Sequence, residues 1–569
     1  MTAPSPSPDE AAASPSPDEA TSPPDESVRP LERGLAVLRA MAADPSPRQR
    51  AGDLARETGL ARSTVDRVAT TLTRLGHLRS DGRDLMLTPR LMEFGNAYLA
   101  SCGLPEALAP HASALADRLD ESVSIAVPDE DGVRFITQAP RRRTMAVSFR
   151  IGDLLPAERC APGALFATGW TEAERERRLT RRRTDPLDSR FPAAPKRTGA
   201  EDDREVEADF EDRVRAAREA GLSVDDQLIE PGLVAVALPV RGPSGATVCA
   251  VSVVSHTSRH TAPSLVEHAL PHLRATVDAM EQTLRSQAST PPPPTDAVAT
   301  FDSSLKEELG SGFLQSLARG LDVLRALGSR RGTMSLADTA RATGLPRATA
   351  RRALITLQHL GYAAAEPDGY RLLPRVMDLG FPRLSQLTFA QIARPHLAAL
   401  VEQVHESASV AVLDGDDVRY VARVTASRIM RVDITVGTRF PAYATSMGRV
   451  LLAALPEQER LDHLSRVTPR RFTPHSRTTV PALSHALATA ARDGWALVDQ
   501  ELEEGLCSLA APVTDNLGRV IAAANVALHT SRGTPARIRD TVLPPLQEAA
   551  RRIGDDLAVV SRFTGSRLR

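Results

Sequence analysis

The sequence has few cysteines, few lysines and few aromatic residues, and it lacks long apolar runs. Its four cysteines are scattered without Cys-x-x-Cys spacing, which argues against a disulfide framework or a structural zinc site. No run of about 18 apolar residues is present, and no apolar segment follows a basic start. The sequence therefore predicts a reduced, soluble, cytoplasmic protein that does not enter a membrane.

Basic charge is carried almost entirely by arginine, since Lys196 and Lys306 are the only lysines among 70 basic residues. Arginine binds phosphates and guanine edges through two parallel hydrogen bonds, although a GC-rich genome would produce the same bias. The formal net charge of -1 argues against a chain coated with nucleic acid. It is compatible with local basic faces, so DNA binding stays open.

The chain repeats itself. GLARST at 59–64 corresponds to GLPRAT at 344–349, and ESVSIAV at 121–127 corresponds to ESASVAV at 406–412. Further on, the glycine, Asp-Gln and proline pattern of 221–239 returns at 494–512 with a smaller offset. We therefore infer two copies of one unit, with extra residues in copy 1, which we place in a solvated surface loop within the polar segment 176–210.

Composition and periodicity divide each copy into a helical head and a longer segment in which strands alternate with helices. This is an α+β pattern. The N-terminal segment and the segment between the two copies are rich in proline and polar residues and cannot bury enough apolar surface to fold. The expected division is a disordered acidic tail at 1–27, head 1 at 28–88, an α+β domain at 89–286, a proline-rich linker at 287–311, head 2 at 312–374 and a second α+β domain at 375–563.

Each head has the pattern of a winged helix-turn-helix. In copy 2, Ser335 is a candidate N-cap for a second helix that Gly344 ends, and a third helix follows from Arg347 to Leu360. An Asp-Gly pair between two apolar runs then predicts a hairpin wing. A helix with arginine and hydroxyl residues at its N-terminal end fits the major groove of DNA.

We predict DNA contacts from the third helix and wing of both heads. The residues are Arg62, Ser63, Thr64, Arg67 and Arg83 in copy 1, and Arg347, Thr349, Arg351, Arg352 and Arg371 in copy 2. Because Ser63 and Asp66 stand where copy 2 has Ala348 and Arg351, we expect unlike half-sites. The alternative interpretation is a protein-interaction scaffold whose basic faces are merely solvated.

The motifs together resemble the IclR family of transcriptional regulators. The resemblance rests on QSLARGLDVL at 315–324, GLPRAT at 344–349, PAYATSMGRVLLA at 441–453 and the Asp-Gln-Glu of 499–501. Copy 2 is similar to the branch that regulates aromatic-acid catabolism, and copy 1 is more divergent. The resemblance implies a winged helix-turn-helix, a linker helix near 91–99 and 372–379, and a GAF-like effector-binding domain in each copy. It also implies dimers, so the chain is expected to form a homo-oligomer or an intramolecular pseudo-dimer.

The resemblance further implies a pocket for a small organic acid held at a helix start, where backbone N–H groups favour anions. In copy 2 the matching residues are Ser446, Met447, Gly448, Asp499, Ser508 and Asn525. The alternative interpretation is purely structural: Ser446 only caps a helix, and Asp499 only accepts hydrogen bonds from backbone groups. Copy 1 departs from the pattern, because Pro162 lacks an N–H and Ala235 replaces Ser508. Its pocket is therefore expected either to bind a less anionic compound or to have lost its ligand.

A small-acid-processing enzyme is the remaining alternative. No paired carboxylates, metal triad or nucleophile–base set supports it, so we expect no catalytic residues and no cofactor. The histidines at 256, 260, 268 and 272 form pairs four residues apart but lack accompanying ligands, so no metal site is expected.

Overall fold

A computed structural model describes residues 26–141, 143, 149–196, 203–288, 312–426 and 434–564. Most of the predicted acidic tail and almost all of the predicted proline-rich linker lie outside these residues. None of the helices within them combines the length and apolar character needed to cross a bilayer.

Copy 1 consists of a small helical head followed by a larger sheet domain. Its helices are α1 (Arg29–Ala43), α2 (Ala51–Thr58), α3 (Arg62–Arg74), α4 (Met92–Cys102), α5 (Leu104–Leu119), α6 (Ala161–Ala167), α7 (Glu172–Thr184), α8 (Asp203–Ala220) and α9 (Ala262–Ala288). Its strands are β1 (Gln49–Arg50), β2 (Leu78–Asp81), β3 (Asp84–Leu87), β4 (Ser122–Asp129), β5 (Gly132–Ala139), β6 (Leu154–Pro156), β7 (Ser223–Asp226), β8 (Leu233–Arg241) and β9 (Thr247–His256).

Copy 2 repeats this order. Its helices are α10 (Gln315–Leu327), α11 (Leu336–Thr343), α12 (Arg347–His359), α13 (Phe381–Leu384), α14 (Phe389–Val404), α15 (Ser446–Ala453), α16 (Glu457–Arg466), α17 (Val480–Asp493) and α18 (Pro535–Thr564). Its strands are β10 (Ala363–Glu366), β11 (Gly369–Leu372), β12 (Ser407–Asp414), β13 (Asp417–Val424), β14 (Arg439–Pro441), β15 (Ala496–Asp499), β16 (Leu506–Thr514) and β17 (Val520–His529).

The two sheet domains have the same topology. Their six-stranded antiparallel sheets have the orders β6-β5-β4-β9-β8-β7 and β14-β13-β12-β17-β16-β15. One face of each sheet packs on two long helices, and the other face forms a separate core with the short helix α6 or α15. The α+β class predicted from the sequence is confirmed.

Local sequence signals set the ends of the head helices. The Ser335 hydroxyl accepts a hydrogen bond from the Asp338 N–H at 3.1 Å, which confirms it as the N-cap of α11. Gly344 ends that helix with a φ of +62°, in the left-handed region that glycine tolerates best. The short wings follow as the hairpins β2–β3 and β10–β11.

The linkers after the wings differ between the copies. Copy 1 has the continuous helix α4, whereas copy 2 has a 3-10 segment, Pro374–Leu379, followed by the single-turn α13. The linker helix expected near 372–379 is thus a 3-10 helix followed by a single turn and not one continuous α-helix. Gly380 adopts a φ of +108° and breaks the helix, and Phe381 then packs on the copy 1 linker, where a Cβ on Gly95 would lie 2.3 Å from its ring.

The polar segment 176–210 of copy 1 begins in a helix and not in the solvated loop that its polarity predicts, and residues 197–202 of it lie outside the described residues. Residues 176–184 belong to α7, and the Arg181 side chain is only 8% exposed. Its guanidinium forms ion pairs with Asp131, Glu158 and Asp188. A buried arginine satisfied by three carboxylates anchors the helix to the sheet domain.

The two heads pack against each other through α1 and α10. A Cβ on Gly34 would lie 2.3 Å from Leu317, and a Cβ on Gly320 would lie 2.5 Å from Leu31. The two leucines are fully buried. Each first helix therefore places a leucine over the glycine of the other.

Threonines on the third helices form a second reciprocal contact. The Val28 N–H donates to the Thr356 hydroxyl at 2.8 Å, and the Leu314 N–H donates to the Thr71 hydroxyl at 3.0 Å. Val28 and Leu314 are the N-cap residues of α1 and α10. Each third helix thus caps the first helix of the other head, as in a two-fold dimer interface.

The sheet domains contact the linkers asymmetrically. Arg134 in the copy 1 sheet is fully buried and donates to Asp378 of the copy 2 linker at 2.6 Å. In the other direction, the Asn96 amide of α4 donates to the Val559 carbonyl of α18 at 2.7 Å. Each sheet domain is therefore fastened to the linker of the other copy, through different residues.

Candidate nucleic-acid interface and effector pocket

The predicted recognition helices α3 and α12 present their N-terminal ends to solvent. Val65, Val68 and Leu72 of α3 are buried, and the equivalent apolar residues of α12 are buried too. The side chains predicted to contact DNA are exposed or half-buried: Arg62, Ser63, Thr64 and Arg67 on α3, and Arg347, Thr349, Arg351 and Arg352 on α12. Neither helix has a side-chain N-cap, so the first-turn N–H groups can donate to phosphate.

The wing arginines are exposed as well. Arg83 lies in the turn between β2 and β3, next to Gly82 with a φ of +62°. Arg371 lies on β11 and donates to Glu366 at 2.7 Å. An exposed ion pair of this kind contributes little to stability, so Arg371 can exchange Glu366 for a phosphate.

The two recognition helices differ in charge. Arg62 pairs with Asp66 of its own helix at 3.5 Å, whereas the position of Asp66 is Arg351 in copy 2. Arg351 forms an ion pair with Glu26, and Arg352 donates to the Glu26 carbonyl at 3.2 Å. The start of the described chain therefore lies against the side of head 2 that is predicted to face DNA.

We expect Glu26→Gln to raise the affinity for DNA by about two- to fivefold at low salt, because Glu26 neutralises an arginine that a phosphate would otherwise use. The measurement is a fluorescence-anisotropy titration at several salt concentrations, and the gain should shrink as salt rises. Glu219→Gln makes the same charge change on α8, which belongs to the sheet domain of copy 1 and not to a head, and should leave the affinity unchanged. An equal gain from both variants would contradict a local effect of Glu26.

In copy 2, polar side chains meet on the sheet face that packs against α15. The hydroxyls of Ser446 and Ser508 are 2.7 Å apart, and the Asn525 amide donates to Ser508 at 3.0 Å. Ser446 is 1% exposed and Asn525 is 3% exposed. The Asn525 carbonyl oxygen is buried and has no partner among the described residues. The structure thus brings together three of the sequence-predicted pocket residues.

The start of α15 supplies backbone donors to the same place. Thr445 is the N-cap, and its hydroxyl accepts the Gly448 N–H at 3.0 Å. The N–H groups of Ser446 and Met447 have no carbonyl within the helix to bond. Gly448 is required by packing, since a Cβ there would lie 2.0 Å from the Ala442 carbonyl. Ser446 and Met447, rather than Gly448, are therefore placed to hold an anion.

Asp499 does not join this group. It lies on the edge strand β15 directly opposite Cys507, whereas Ser508 lies opposite Val498. Successive side chains of a strand point to opposite faces, so Asp499 and Cys507 lie on the face away from Ser508. Cys507 is accordingly buried in the core between the sheet and the long helices.

Sequence reasoning missed Arg423. Its guanidinium donates to the Ser409 hydroxyl at 3.3 Å, and Ser409 is paired in register with Asn525. Strand alternation from Tyr420 would place residue 422, not 423, on the pocket face. A β-bulge at this point of the β12–β13 pair shifts the register and turns Arg423 inward. Arg423 therefore adds positive charge beside the serine cluster.

A buried ion pair fixes α15 to the loop after β15. Arg449 is 2% exposed and Glu501 is 6% exposed, and the guanidinium makes two hydrogen bonds of 2.8 and 2.5 Å to the carboxylate. Copy 1 lacks this pair, with Ala164 and Leu228 at the matching positions. The glutamate of the Asp-Gln-Glu motif thus has a positioning role in copy 2.

In copy 1 the matching sheet face holds a buried acid. Asp225 on β7 is 1% exposed, and its carboxylate accepts the Leu228 N–H at 2.8 Å. Burial raises the pKa of Asp225 to about 7, although that hydrogen bond and the nearby Arg213 oppose the rise. The folded protein therefore holds the proton of Asp225 across a pH range in which the unfolded chain releases it.

We expect this proton to make stability depend on pH. With the pKa of Asp225 at about 7 in the folded chain and about 4 in the unfolded chain, the free energy of unfolding falls as pH rises from about 4 to about 7. Asp225→Asn keeps the acceptor and removes the titration. Relative to wild type, this variant should gain stability across that window, on the order of 1 kcal/mol per pH unit.

Chemical denaturation at several pH values measures this gain. The neighbouring Asp226 is exposed and is only a secondary cause of the raised pKa of Asp225, so Asp226→Asn is the matched control and should have a much smaller effect. A gain that is constant with pH would contradict the titration of Asp225.

Comparison with known proteins identifies both parts of each copy. Residues 30–82 and 316–367 match the IclR helix-turn-helix domain. Residues 96–282 and 382–555 match the C-terminal domain of the bacterial transcriptional regulator IclR. Together these segments cover most of the chain.

Individual transcriptional regulators are also similar to this chain. The chain is 42% identical over 240 residues to the Pca regulon regulatory protein of Pseudomonas putida, covering 42% of this chain and 82% of that protein. It is 32% identical over 243 residues to the p-hydroxybenzoate hydroxylase transcriptional activator of Acinetobacter baylyi, covering 42% and 90%. A solved inducer-binding domain, a PobR double mutant from Acinetobacter with 3-hydroxybenzoic acid, is 30% identical and covers 30% of this chain and 97% of that chain, with a TM-score of 0.28. The chain belongs to the IclR family of transcriptional regulators and carries both domains of that family twice.

Proposed function

We propose that one chain presents both of its recognition helices to a single operator and that a small organic acid bound in copy 2 regulates this binding. The observation that carries the first part is the pair of reciprocal hydrogen bonds in which Thr71 and Thr356 each cap the first helix of the other head. When the dimerisation surface of one head is already covered by the other head of the same chain, neither head needs a partner chain.

The DNA contacts follow from the exposed ends of α3 and α12. We assign base and phosphate contacts to the residues predicted from the sequence on these helices, and phosphate contacts to Arg83 and Arg371 on the wings. Because Asp66 and Arg351 occupy equivalent positions, the two half-sites should differ in sequence.

The acid is proposed to lie between α15 and the sheet of copy 2. The hydroxyls of Ser446 and Ser508 and the N–H groups of Ser446 and Met447 can donate to a carboxylate, and Arg423 supplies charge. The named relatives control pca and p-hydroxybenzoate hydroxylase functions, which favours an aromatic or dicarboxylic acid. Such an acid changes DNA affinity only if it binds two arrangements of the heads unequally.

We do not assign an enzymatic activity. Burial raises the pKa of the Cys507 thiol to about 12, so that a thiolate does not form near neutral pH. The curated relatives are described as regulators, which also favours a protein without catalysis.

Stoichiometry tests the proposal with the intact chain. Native mass spectrometry on a duplex with two half-sites should give one chain per duplex at the lowest saturating concentration, and a duplex with one half-site should bind far more weakly. Two chains on the full operator with one head each in contact, or equal affinity for both duplexes, would contradict it. A salt-independent affinity would instead favour the scaffold interpretation.

A further inference from the structure

The effector domain of copy 1 has its own row of polar side chains. Ser124 pairs in register with Gln138 on one side and with Ser252 on the other. Directly opposite residues of neighbouring strands share one face of the sheet, with Cβ atoms about 5 Å apart. This is the face that packs against α6, and the row matches Ser409, Arg423 and Asn525 of copy 2.

The members of this row lack hydrogen-bond partners. Ser124 is 1% exposed and Ser252 is 2% exposed. Within the described residues, the two hydroxyl oxygens and the Gln138 amide nitrogen are buried without a partner. A buried polar group without a partner costs about 1–3 kcal/mol, so three of them side by side point to a ligand that satisfies them.

The surroundings of the row disfavour a carboxylate. Gln138 stands where copy 2 has Arg423, which removes a positive charge. At the helix start, Ala161 removes the Ser446 hydroxyl and Pro162 removes the Met447 N–H. Asp225 stands where copy 2 has Val498, opposite Ala235 on the neighbouring strand, and this acidic side chain offers an anion no positive charge to pair with.

The walls are apolar and partly aromatic. The rings of Phe135 and Phe149 stack with centroids 4.3 Å apart. Phe135 lies on the same face as the polar row, in a cluster with Ala126, Ala235 and Ala237. Such a wall suits a flat ring.

We propose that the pocket of copy 1 binds an uncharged aromatic compound carrying a carbonyl or hydroxyl group, so that one chain responds to two classes of ligand. The Gln138 amide and the two serine hydroxyls would donate to the oxygen, and the ring would pack against Phe135. This proposal rests on the proposed effector role of the sheet domains, with copy 2 taking the acid.

The position of this pocket gives its occupant a route to the heads. Gln138 lies on β5, which also carries Arg134, and Arg134 donates to Asp378 in the linker of copy 2. A ligand in copy 1 is thereby coupled to the orientation of head 2 through the ion pair between Arg134 and Asp378.

Benzamide and benzoate test the proposal, because they have nearly the same shape and differ in charge. Calorimetric titration of the full chain should give one benzamide site and one benzoate site that do not compete. Gln138→Arg should weaken benzamide at least tenfold and add a second benzoate site. Arg423→Gln, the reciprocal change in copy 2, should weaken benzoate at least tenfold and leave benzamide unchanged.

Ser252→Ala covers the case in which Gln138→Arg fails to fold. It removes a buried unpaired hydroxyl, so it should keep the thermal stability of the wild type while weakening benzamide several-fold. Acetophenone and benzyl alcohol extend the titration to a carbonyl and a hydroxyl compound.

The outcomes separate the two proposals. Competition between benzamide and benzoate for one site, two benzoate sites in the wild type, or no binding of any of the three neutral compounds would overturn the copy 1 assignment. If Arg423→Gln leaves the benzoate affinity unchanged, the acid site of copy 2 is overturned and the copy 1 result still stands.

Discussion

Replacing Arg347, Arg351 and Arg352 together by alanine is expected to lower the affinity for operator DNA about a thousandfold. All three side chains are exposed on the first turns of α12, the face that can enter the major groove. A bidentate arginine–guanine contact contributes about 1–3 kcal/mol, and each lost phosphate contact adds to the loss. The slope of log affinity against log salt should also become shallower, by up to about 3.

The matched control removes three arginines elsewhere. Arg539, Arg551 and Arg552 lie on α18 and pair with neighbouring carboxylates on the surface. Alanine at these positions makes the same change in net charge and should alter DNA affinity less than threefold. If both triple variants lose affinity equally, the effect is one of net charge, and α12 is not the reading helix. Thermal unfolding of each variant checks that the heads stay folded.

The sequence predicted the heads well because their signals are local. The N-cap at Ser335, the glycine at 344 and the spacing of apolar residues are fixed within a few neighbours. The prediction for the copy 2 linker was less accurate for the opposite reason. Gly380 breaks the helix and allows Phe381 to fill the space above Gly95, in the other copy. No local pattern encodes a contact between residues so far apart in the chain.

The residues of the effector pocket also divide into those that local signals predict and those that depend on distant contacts. The helix start at Ser446 was predictable from its motif, and the polar neighbours Ser508 and Asn525 followed from the family resemblance. Arg423 was missed and Asp499 was wrongly predicted to line the pocket, because strand faces depend on register. One β-bulge brings Arg423 inward, and strict alternation keeps Asp499 on the opposite face.

Paired leucine substitutions at Gly34 and Gly320 are expected to separate the heads. A Cβ at either position would lie 2.5 Å or less from a leucine of the other head, and Leu31 and Leu317 are fully buried. Overpacking costs about 1–3 kcal/mol at each site. The affinity for a two-half-site operator should fall about a hundredfold, because the heads no longer share one rigid frame, while the affinity for one half-site should change less than threefold.

Two further variants decide whether head pairing is the cause. Gly312→Leu adds the same side chain just before α10, where a Cβ meets no atom within 4 Å, and should leave operator affinity unchanged. Gly34→Leu combined with Leu317→Ala returns space to the same contact and should recover most of the affinity lost by Gly34→Leu alone. Equal losses on the full and the half operator would mean that the heads bind DNA independently. In that case the reciprocal threonine contacts would stabilise the fold without setting the spacing of the two recognition helices.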